Sequence, residues 1–399
     1  MSANRRSRLI CHAYYAMYGM VGLGLLPPLT RSFETTFGLS HAQMGLLLGI
    51  GIVTGSVTAL LSGMLYDHWG GRILMAGSLM LAGWSALGVG AADRMAWFVA
   101  ALLLFHIVNS VGATLANPIT SYLYGDERSR GMSLLHGCQG LGRLLAPLLV
   151  TAVLFVTGRW QPVFLVGAVL FAVWSLLFLF VFREPAWAAT DDPSGVGIAG
   201  LVRGLRSLLR DPGVRLIVLA FVLSVGAETS TIIWFPNLLE SEWGFTKQQA
   251  LMTLTLMMLG YTLVRLTGGF LPRGAERILI PIGTGLHVAV MAWVMLIPSR
   301  GVVPVAAFLM GTALGVYWPN LAAAAYHYTP YRHGTLVGLF LVTGCAGGFL
   351  LLSVTGRLAD LFTLRRAIWT APVCSLLLGA VFVGFRRVEG RDGTADARR

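Results

Sequence analysis

The chain has 399 residues, of which 56% are hydrophobic and only 12% charged, and its formal net charge is +12. Soluble domains are about one-quarter charged, so this composition excludes an ordinary soluble enzyme. It also excludes a disordered chain, which needs high charge and low hydrophobicity. What remains is an all-α polytopic membrane protein, because a bilayer core is crossed by helices of about 20 apolar residues.

In chain order, apolar runs that reach this length fall at 10–33, 43–65, 73–92, 96–122, 132–156 and 162–182, and then at 214–238, 248–271, 277–297, 302–326, 334–356 and 367–385. Twelve spans leave room for short connections and for no second soluble domain. The stretch 184–212 breaks the pattern. It opens on Glu184-Pro185, carries Asp191, Asp192 and Pro193, and ends on Arg203, Arg206 and Arg210. It reads as a polar connector with room for one amphipathic surface helix. The expected organisation is a six-helix bundle over 1–183, a cytoplasmic connecting loop over 184–212, and a second six-helix bundle over 213–399 with a short cytoplasmic tail.

The basic residues lie in short clusters between the apolar runs, and all but Lys247 are arginine. That is a topology pattern, not the continuous basic face that nucleic acid requires. With the N-terminus in the cytoplasm, loops on that side hold 19 Lys and Arg and loops on the other side hold 8. The positive-inside rule then puts both termini in the cytoplasm, and an even number of spans agrees. Arginine use with almost no lysine is expected of a GC-rich bacterial genome, hence a cell inner membrane. Residues 1–8 are basic, but the apolar stretch after them is as long as a span, unlike a cleavable signal. Cys11, Cys138, Cys345 and Cys374 each sit inside an apolar run with no CxxC pair, so free buried thiols are expected, with no disulfide framework and no metal.

The two halves repeat. Gly38-Leu39-Ser40-His41-Ala42-Gln43 matches Gly244-Phe245-Thr246-Lys247-Gln248-Gln249 at an offset of 206. An offset of 203 carries Gly112 onto Gly315, Asn117 onto Asn320 and Gly131 onto Gly334. In each half a Ser or Thr with Gln three residues later forms a capping box that opens the second helix. Pro27-Pro28 and Pro236-Asn237 interrupt the first and seventh spans at matching depths. Glycine pairs such as Gly45/Gly49, Gly51/Gly55, Gly311/Gly315 and Gly344/Gly348 have the spacing of close helix contacts.

Gly63-Met64-Leu65-Tyr66-Asp67-His68-Trp69-Gly70-Gly71-Arg72 resembles the major facilitator superfamily signature between helices 2 and 3, G-x-L-x-D-r-x-G-r-[KR]. Gly63, Leu65, Asp67, Gly70 and Arg72 match it, while His68 and Gly71 replace the usual basic residues. Gly269-Phe270-Leu271-Pro272-Arg273-Gly274-Ala275-Glu276-Arg277 is a degraded second copy that lacks the Asp. Gly158-Arg159-Trp160-Gln161-Pro162-Val163-Phe164 also resembles the family's start of helix 6. The resemblance implies two pseudo-symmetric bundles that rock about a site near the membrane midplane. It also implies a gating role for Gly63, Asp67, Gly70 and Arg72, in which Asp67 holds one access state closed.

Charges at membrane depth are costly, so each is a candidate functional group. Glu228 is the acid deepest in a span. A carboxylate in such a place can exchange a proton, so it is read as a coupling or binding group, the alternative being a structural hydrogen bond. Arg143, beside Gly140 and Gly142, offers a planar fork for an anion, or else an internal ion pair with Glu228 itself. Arg265-Leu266-Thr267-Gly268-Gly269 is similar to the helix-8 arginine of the superfamily's monocarboxylate and oxalate transporters, with Tyr261 where some carry an acid. A role at the gate is the alternative. His106 and Asn109, followed by Gly112, stand where proton-coupled drug exporters of the family carry R-x-x-q-G-x-g. The exporters' helix-5 Gly-Pro pair is absent here. Tyr18, Trp234 and Tyr317 complete the candidate lining, with Tyr18 and Tyr317 in spans 1 and 10.

No HExxH, nucleophile elbow, P-loop or paired-carboxylate pattern occurs, so no enzyme activity is expected. The expected function is secondary active transport of a small organic anion, as a monomer, with the proton as coupling ion and no cofactor. Proton-driven export of drugs or other amphipathic compounds is the alternative.

Overall fold

The computed structural model describes residues 3–69, 71–124, 128–183, 206, 208–268, 272, 274–297, 299–328 and 333–396. Among them are twelve helices long and apolar enough to cross a membrane. The first, α1, is composite: Ala3–Met17, a π-helical turn Tyr18–Leu23, and Leu26–Phe37. The first half continues with α2 (His41–Trp69), α3 (Gly71–Gly90), α4 (Met95–Tyr124), α5 (Arg128–Thr157) and α6 (Gln161–Phe180). The second half holds α7 (Pro212–Ser241), α8 (Lys247–Gly268), α9 (Glu276–Leu296), α10 (Val302–Tyr328), α11 (His333–Leu361) and α12. The last consists of a short turn, Leu364–Ala367, and the helix Thr370–Asp396. The connector expected over 184–212 falls mostly outside the described residues.

The repeat read from the sequence recurs in the geometry. Gly38 ends α1 at φ 64° and Gly244 follows α7 at φ 67°, a left-handed conformation that favours glycine. Both capping boxes form. The Ser40 N–H donates to Gln43 Oε1 at 2.9 Å and the Thr246 N–H to Gln249 Oε1 at 3.0 Å. The side chains of Asn117 and Asn320 each donate to the carbonyl four residues back, at 2.9 and 2.6 Å.

Within the halves, α3 packs on α4 and α6, and α10 on α8 and α9. Across them, α2 packs on α11 and α5 on α8. In lipid, such packing rests on close contact, because apolar burial supplies no driving force between helices. Gly142 illustrates it: a Cβ there would collide with the Ala16 carbonyl of α1. The outer faces stay apolar; Phe155, Phe180 and Leu296 are 80%, 72% and 78% exposed. A soluble protein rarely shows such surface, whereas acyl chains accommodate it.

The two expected helix breaks differ. The break in α1 lies at Tyr18–Leu23, just before Pro27-Pro28, and Pro27 and Pro28 start the next helical segment instead of ending one. Pro fits at the first turn of a helix, where its missing N–H has no partner to lose. In α7 there is no break: the helix runs unbroken through Pro236. Proline within a span is tolerated where neighbours take up the freed backbone groups.

Candidate functional site

The π-helical turn of α1 widens the helix and leaves a carbonyl to be held from outside. Asn109 of α4 does this, its Nδ2 donating to Gly22 O at 3.1 Å. Tyr18 opens the turn, stacks beside Tyr15 with ring centroids 5.3 Å apart, and lies within electrostatic reach of Arg143.

Glu228 sits halfway along α7, 9% exposed. Its Oε1 accepts from Arg143 Nη1 of α5 at 3.1 Å and from the Tyr261 hydroxyl of α8 at 2.6 Å. Its Oε2 faces Arg265 Nη2 of α8 at 3.5 Å. Arg143 Nη1 also donates to the Tyr261 oxygen at 3.0 Å, and the Arg265 guanidinium lies 4.0 Å over the Tyr261 ring. Tyr261 thus receives a hydrogen bond from one arginine, passes one to the carboxylate, and offers its face to the other arginine.

Arg265 is fixed from behind. Pro319, inside α10, has no N–H for the carbonyl of Gly315 four residues earlier. Arg265 Nε points at that carbonyl at 3.4 Å. The three charges total +1, in a place where low dielectric makes unbalanced charge costly. Beside Arg143 a small cavity opens between the halves, lined otherwise by Leu23, Gly24, Pro27, Pro147, Ile232, Leu254 and Met258.

The structure therefore gathers Glu228, Arg143, Arg265 and, next to them, Tyr18. It brings none of the other candidates into hydrogen-bond contact with the cluster, although Tyr317 lies within electrostatic reach of Glu228. His106 lies between α4 and α2, against Gly51, and its Nε2 finds no hydrogen-bond partner among the described residues. Asn109 is engaged with α1. Tyr317 is fully buried within the second half, donating to Ser375 Oγ at 3.0 Å. Trp234 lies nearer the end of α7, edge-on to His41 at 5.7 Å between centroids.

Of the signature residues, Gly63 and Asp67 fall near the end of α2 and Arg72 in the first turn of α3, while Gly70 lies outside the described residues. Arg72 Nε donates to Leu179 O of α6 at 2.8 Å. The side chains of 63–69 are likewise outside what is described.

A second buried cluster escaped the sequence reading. Glu34, 3% exposed at the end of α1, meets His41 Nδ1 at 2.8 Å, Arg31 at 3.3 Å and, across the halves, Asn237 Nδ2 at 3.0 Å. It lies one residue past the expected end of the first span. The spacing Arg31–Glu34 was the one available sign.

The fold has relatives. The model of the Major Facilitator Superfamily matches residues 10–352. The probable nitrate/nitrite antiporter NarK1 of Thermus thermophilus is 26% identical over 372 residues, covering 85% of this chain and 80% of the relative. The 3-(3-hydroxy-phenyl)propionate transporter of Escherichia coli K12 is 26% identical over 371 residues, covering 90% and 89%. Among solved structures, a bacterial homolog of the human lysosomal transporter Spinster, inward-facing and occupied, superposes with a TM-score of 0.79 at 15% identity, covering 97% of this chain and 98% of that one. Twelve membrane-crossing helices in two pseudo-symmetric bundles, matched over nearly their whole length, make this chain a multi-pass membrane transport protein, not an enzyme, and a member of the Major Facilitator Superfamily.

Proposed function

We propose that the protein is a proton-coupled secondary transporter of small organic anions, carrying one monoanion with one proton. The observation that carries this reading is the position of Glu228 between Arg143 and Arg265. With Glu228 ionised, the empty site holds a charge of +1. A monoanion that takes the place of the carboxylate on the two guanidiniums would bring the site to zero. A proton on Glu228 returns it to +1. Loaded with both, the site has the charge it had when empty, so neither state buries a new net charge.

The proton also rearranges the donors. A neutral Glu228 releases Arg143 and the Tyr261 hydroxyl, both of which can then turn to the incoming carboxylate. Arginine suits this exchange because its planar fork binds carboxylates in two-point fashion. The apolar wall beside Arg143 suits an organic body on the anion. Among the relatives, one is named for nitrate and nitrite and another for an aromatic propionate; the wall favours the second kind of solute.

Arg143 comes from the first half, and Glu228, Tyr261 and Arg265 from the second. Replacing the Glu228 carboxylate by cargo loosens a tie between the halves and lets them rock, in the manner of alternating access. The moving bodies in this reading are 1–183 and 213–399, joined by 184–212. The one-sided arginine excess supports cytoplasmic termini, the use of arginine over lysine supports a bacterial inner membrane, and one copy contains the whole site.

The test is uptake of labelled 3-phenylpropionate, benzoate and nitrate into proteoliposomes of purified protein. An inward acid gradient should drive accumulation of an organic anion even when the membrane potential is clamped at zero. Glu228→Gln should abolish gradient-driven accumulation. Arg143→Ala should abolish uptake altogether. Unchanged uptake of every anion in both variants overturns the proposal.

A further inference from the structure

At the end of the bundle where α1 and α7 finish, the two halves meet through α2 and α11. These helices are antiparallel, so each ends where the other begins. The first N–H groups of any helix lack intrahelical partners. At α2, Ser40 caps the N–H of Gln43 at 3.2 Å. The N–H groups of His41 and Ala42 are taken instead by the other half: they donate to Asp360 Oδ1 and Oδ2 of α11 at 3.0 and 3.1 Å. One carboxylate thus spans two orphan donors at the positive end of a helix, a charge-assisted contact of the stronger kind.

One turn before Asp360, Gly356 makes this contact possible. A Cβ at that position would collide with the His41 carbonyl, so only glycine allows α11 to come this close to the start of α2. The residues read Gly356-Arg357-Leu358-Ala359-Asp360, the same G-x-L-x-D pattern as Gly63-Met64-Leu65-Tyr66-Asp67 at the end of α2. The corresponding start of α8 has the Thr246 capping box, but α5, its partner across the halves, ends on Phe155-Val156-Thr157 and brings no acid.

We propose that Asp360, admitted by Gly356, is a positioning residue for the transport cycle. It latches the α2/α11 end of the interface shut, opposite the Gly63–Asp67 signature. The helix pair then carries an acid at each end, each holding the halves together in a different access state. Glu34 and Asn237 tie α1 to α7 at the same end and close with it. Breaking the Asp360 contact favours the state open on this side. The inference does not depend on which solute is carried.

The test places spin labels at Thr35 and Gln248, exposed positions at this end in opposite halves, in the full chain with its four cysteines replaced. The distance distribution between them is read by pulsed electron resonance in lipid nanodiscs. Asp360→Asn should move population from the short to the long distance, and Asp360→Glu should restore the short one. Gly356→Leu should lengthen it as well, through collision instead of lost charge. Asp67→Asn should act in the opposite sense. Melting temperatures separate a shifted equilibrium from damaged folding. If Asp360→Asn does not fold, Gly356→Ala is read in the same way. An unchanged distribution in a folded Asp360→Asn or Gly356→Ala protein overturns the proposal, as does a shift that Asp360→Glu fails to reverse.

Discussion

Glu228 of α7 lies 3.1 Å from Arg143 of α5, so the buried ion pair is also a bond between the two halves of the molecule. Buried ion pairs contribute little net stability, because desolvation offsets most of the attraction. Their best-attested use is to hold one arrangement against another. In the proposed function, cargo and proton replace the pair without a change of charge, so the residues that would recognise an anion are also the ones that tie the halves together.

Removing one partner alone should be costly. Arg143→Met leaves Glu228 with Arg265 at 3.5 Å and the Tyr261 hydroxyl. Loss of a buried partner costs about 3–5 kcal/mol where the remaining charge is uncompensated; Arg265 keeps the loss below the top of that range. Glu228→Gln leaves two guanidiniums without a carboxylate between them and should cost more than Arg143→Met, which leaves Glu228 and Arg265 as a neutral pair. Thermal melts of the two variants in detergent check this. A Glu228→Gln protein at least as stable as Arg143→Met would show that the carboxylate does not offset the two arginines.

Tyr261 makes two separable contributions. Tyr261→Phe removes the hydroxyl that bridges Arg143 and Glu228 but keeps the ring beneath Arg265. Tyr261→Leu removes both. Hydrogen bonds in membrane interiors average about 0.6 kcal/mol, and a cation over a desolvated ring contributes about 2 kcal/mol. The Phe variant should therefore bind an anion only a few-fold more weakly, and the Leu variant at least tenfold. Titration by thermal shift against the transported anion measures both. Equal losses would place the whole effect in the hydroxyl.

Sequence alone revealed the twelve spans, the duplication and three of the four members of the central cluster as candidates. The physical reason is that charge in a span is costly and therefore conspicuous. Tyr261 was visible as the replacement for an acid and as one of several aromatic residues that could line a cavity, but its role as bridge needed the geometry. The Glu34 cluster was hidden for the opposite reason. It lies at the helix ends, where acids are ordinary, and its partner across the halves, Asn237, is distant in sequence. Asp360 looks like a solvated helix end until α2 is seen to start against it. His106 stood out as a lone titratable group in a span, yet in the fold it packs on Gly51, away from the cluster.

Asn109 gives a prediction that separates bracing from binding. Its Nδ2 holds the Gly22 carbonyl in the π-helical turn of α1. Asn109→Ala leaves that carbonyl unpaired, at a cost of about 1–3 kcal/mol. The turn carries Tyr18 at its start and moves with α1, so the rate of transport should fall several-fold while the half-saturating anion concentration changes little. Transport kinetics and a melting curve on the same preparation test it. A large rise in half-saturation with unchanged melting would place Asn109 on the cargo instead.

The last prediction concerns Tyr317, which the sequence offered as a binding residue. Its hydroxyl donates to Ser375 Oγ at 3.0 Å, and Ser375 Oγ meets His287 Nδ1 at 2.7 Å. His287 Nε2 meets Thr231 Oγ1 at 3.2 Å, and Thr231 itself donates to Ala227 O at 2.8 Å. Thr231 has one proton, so it accepts from His287, whose Nε2 carries the hydrogen. Nδ1 then accepts from Ser375, and Ser375 accepts from Tyr317. Every member is satisfied with His287 neutral, and the chain links α7, α9, α10 and α12 inside the second half. Ser375→Ala should leave His287 Nδ1 without its donor, while the Tyr317 hydroxyl keeps the Gly283 carbonyl at 3.4 Å, and cost about 1–3 kcal/mol. Tyr317→Phe removes only the first donor and should cost less. Neither substitution should alter the dependence of uptake on the acid gradient, because the chain holds no charge. Melting curves with uptake at two gradients decide it. Loss of anion binding in Tyr317→Phe at unchanged melting temperature would return Tyr317 to the cargo site.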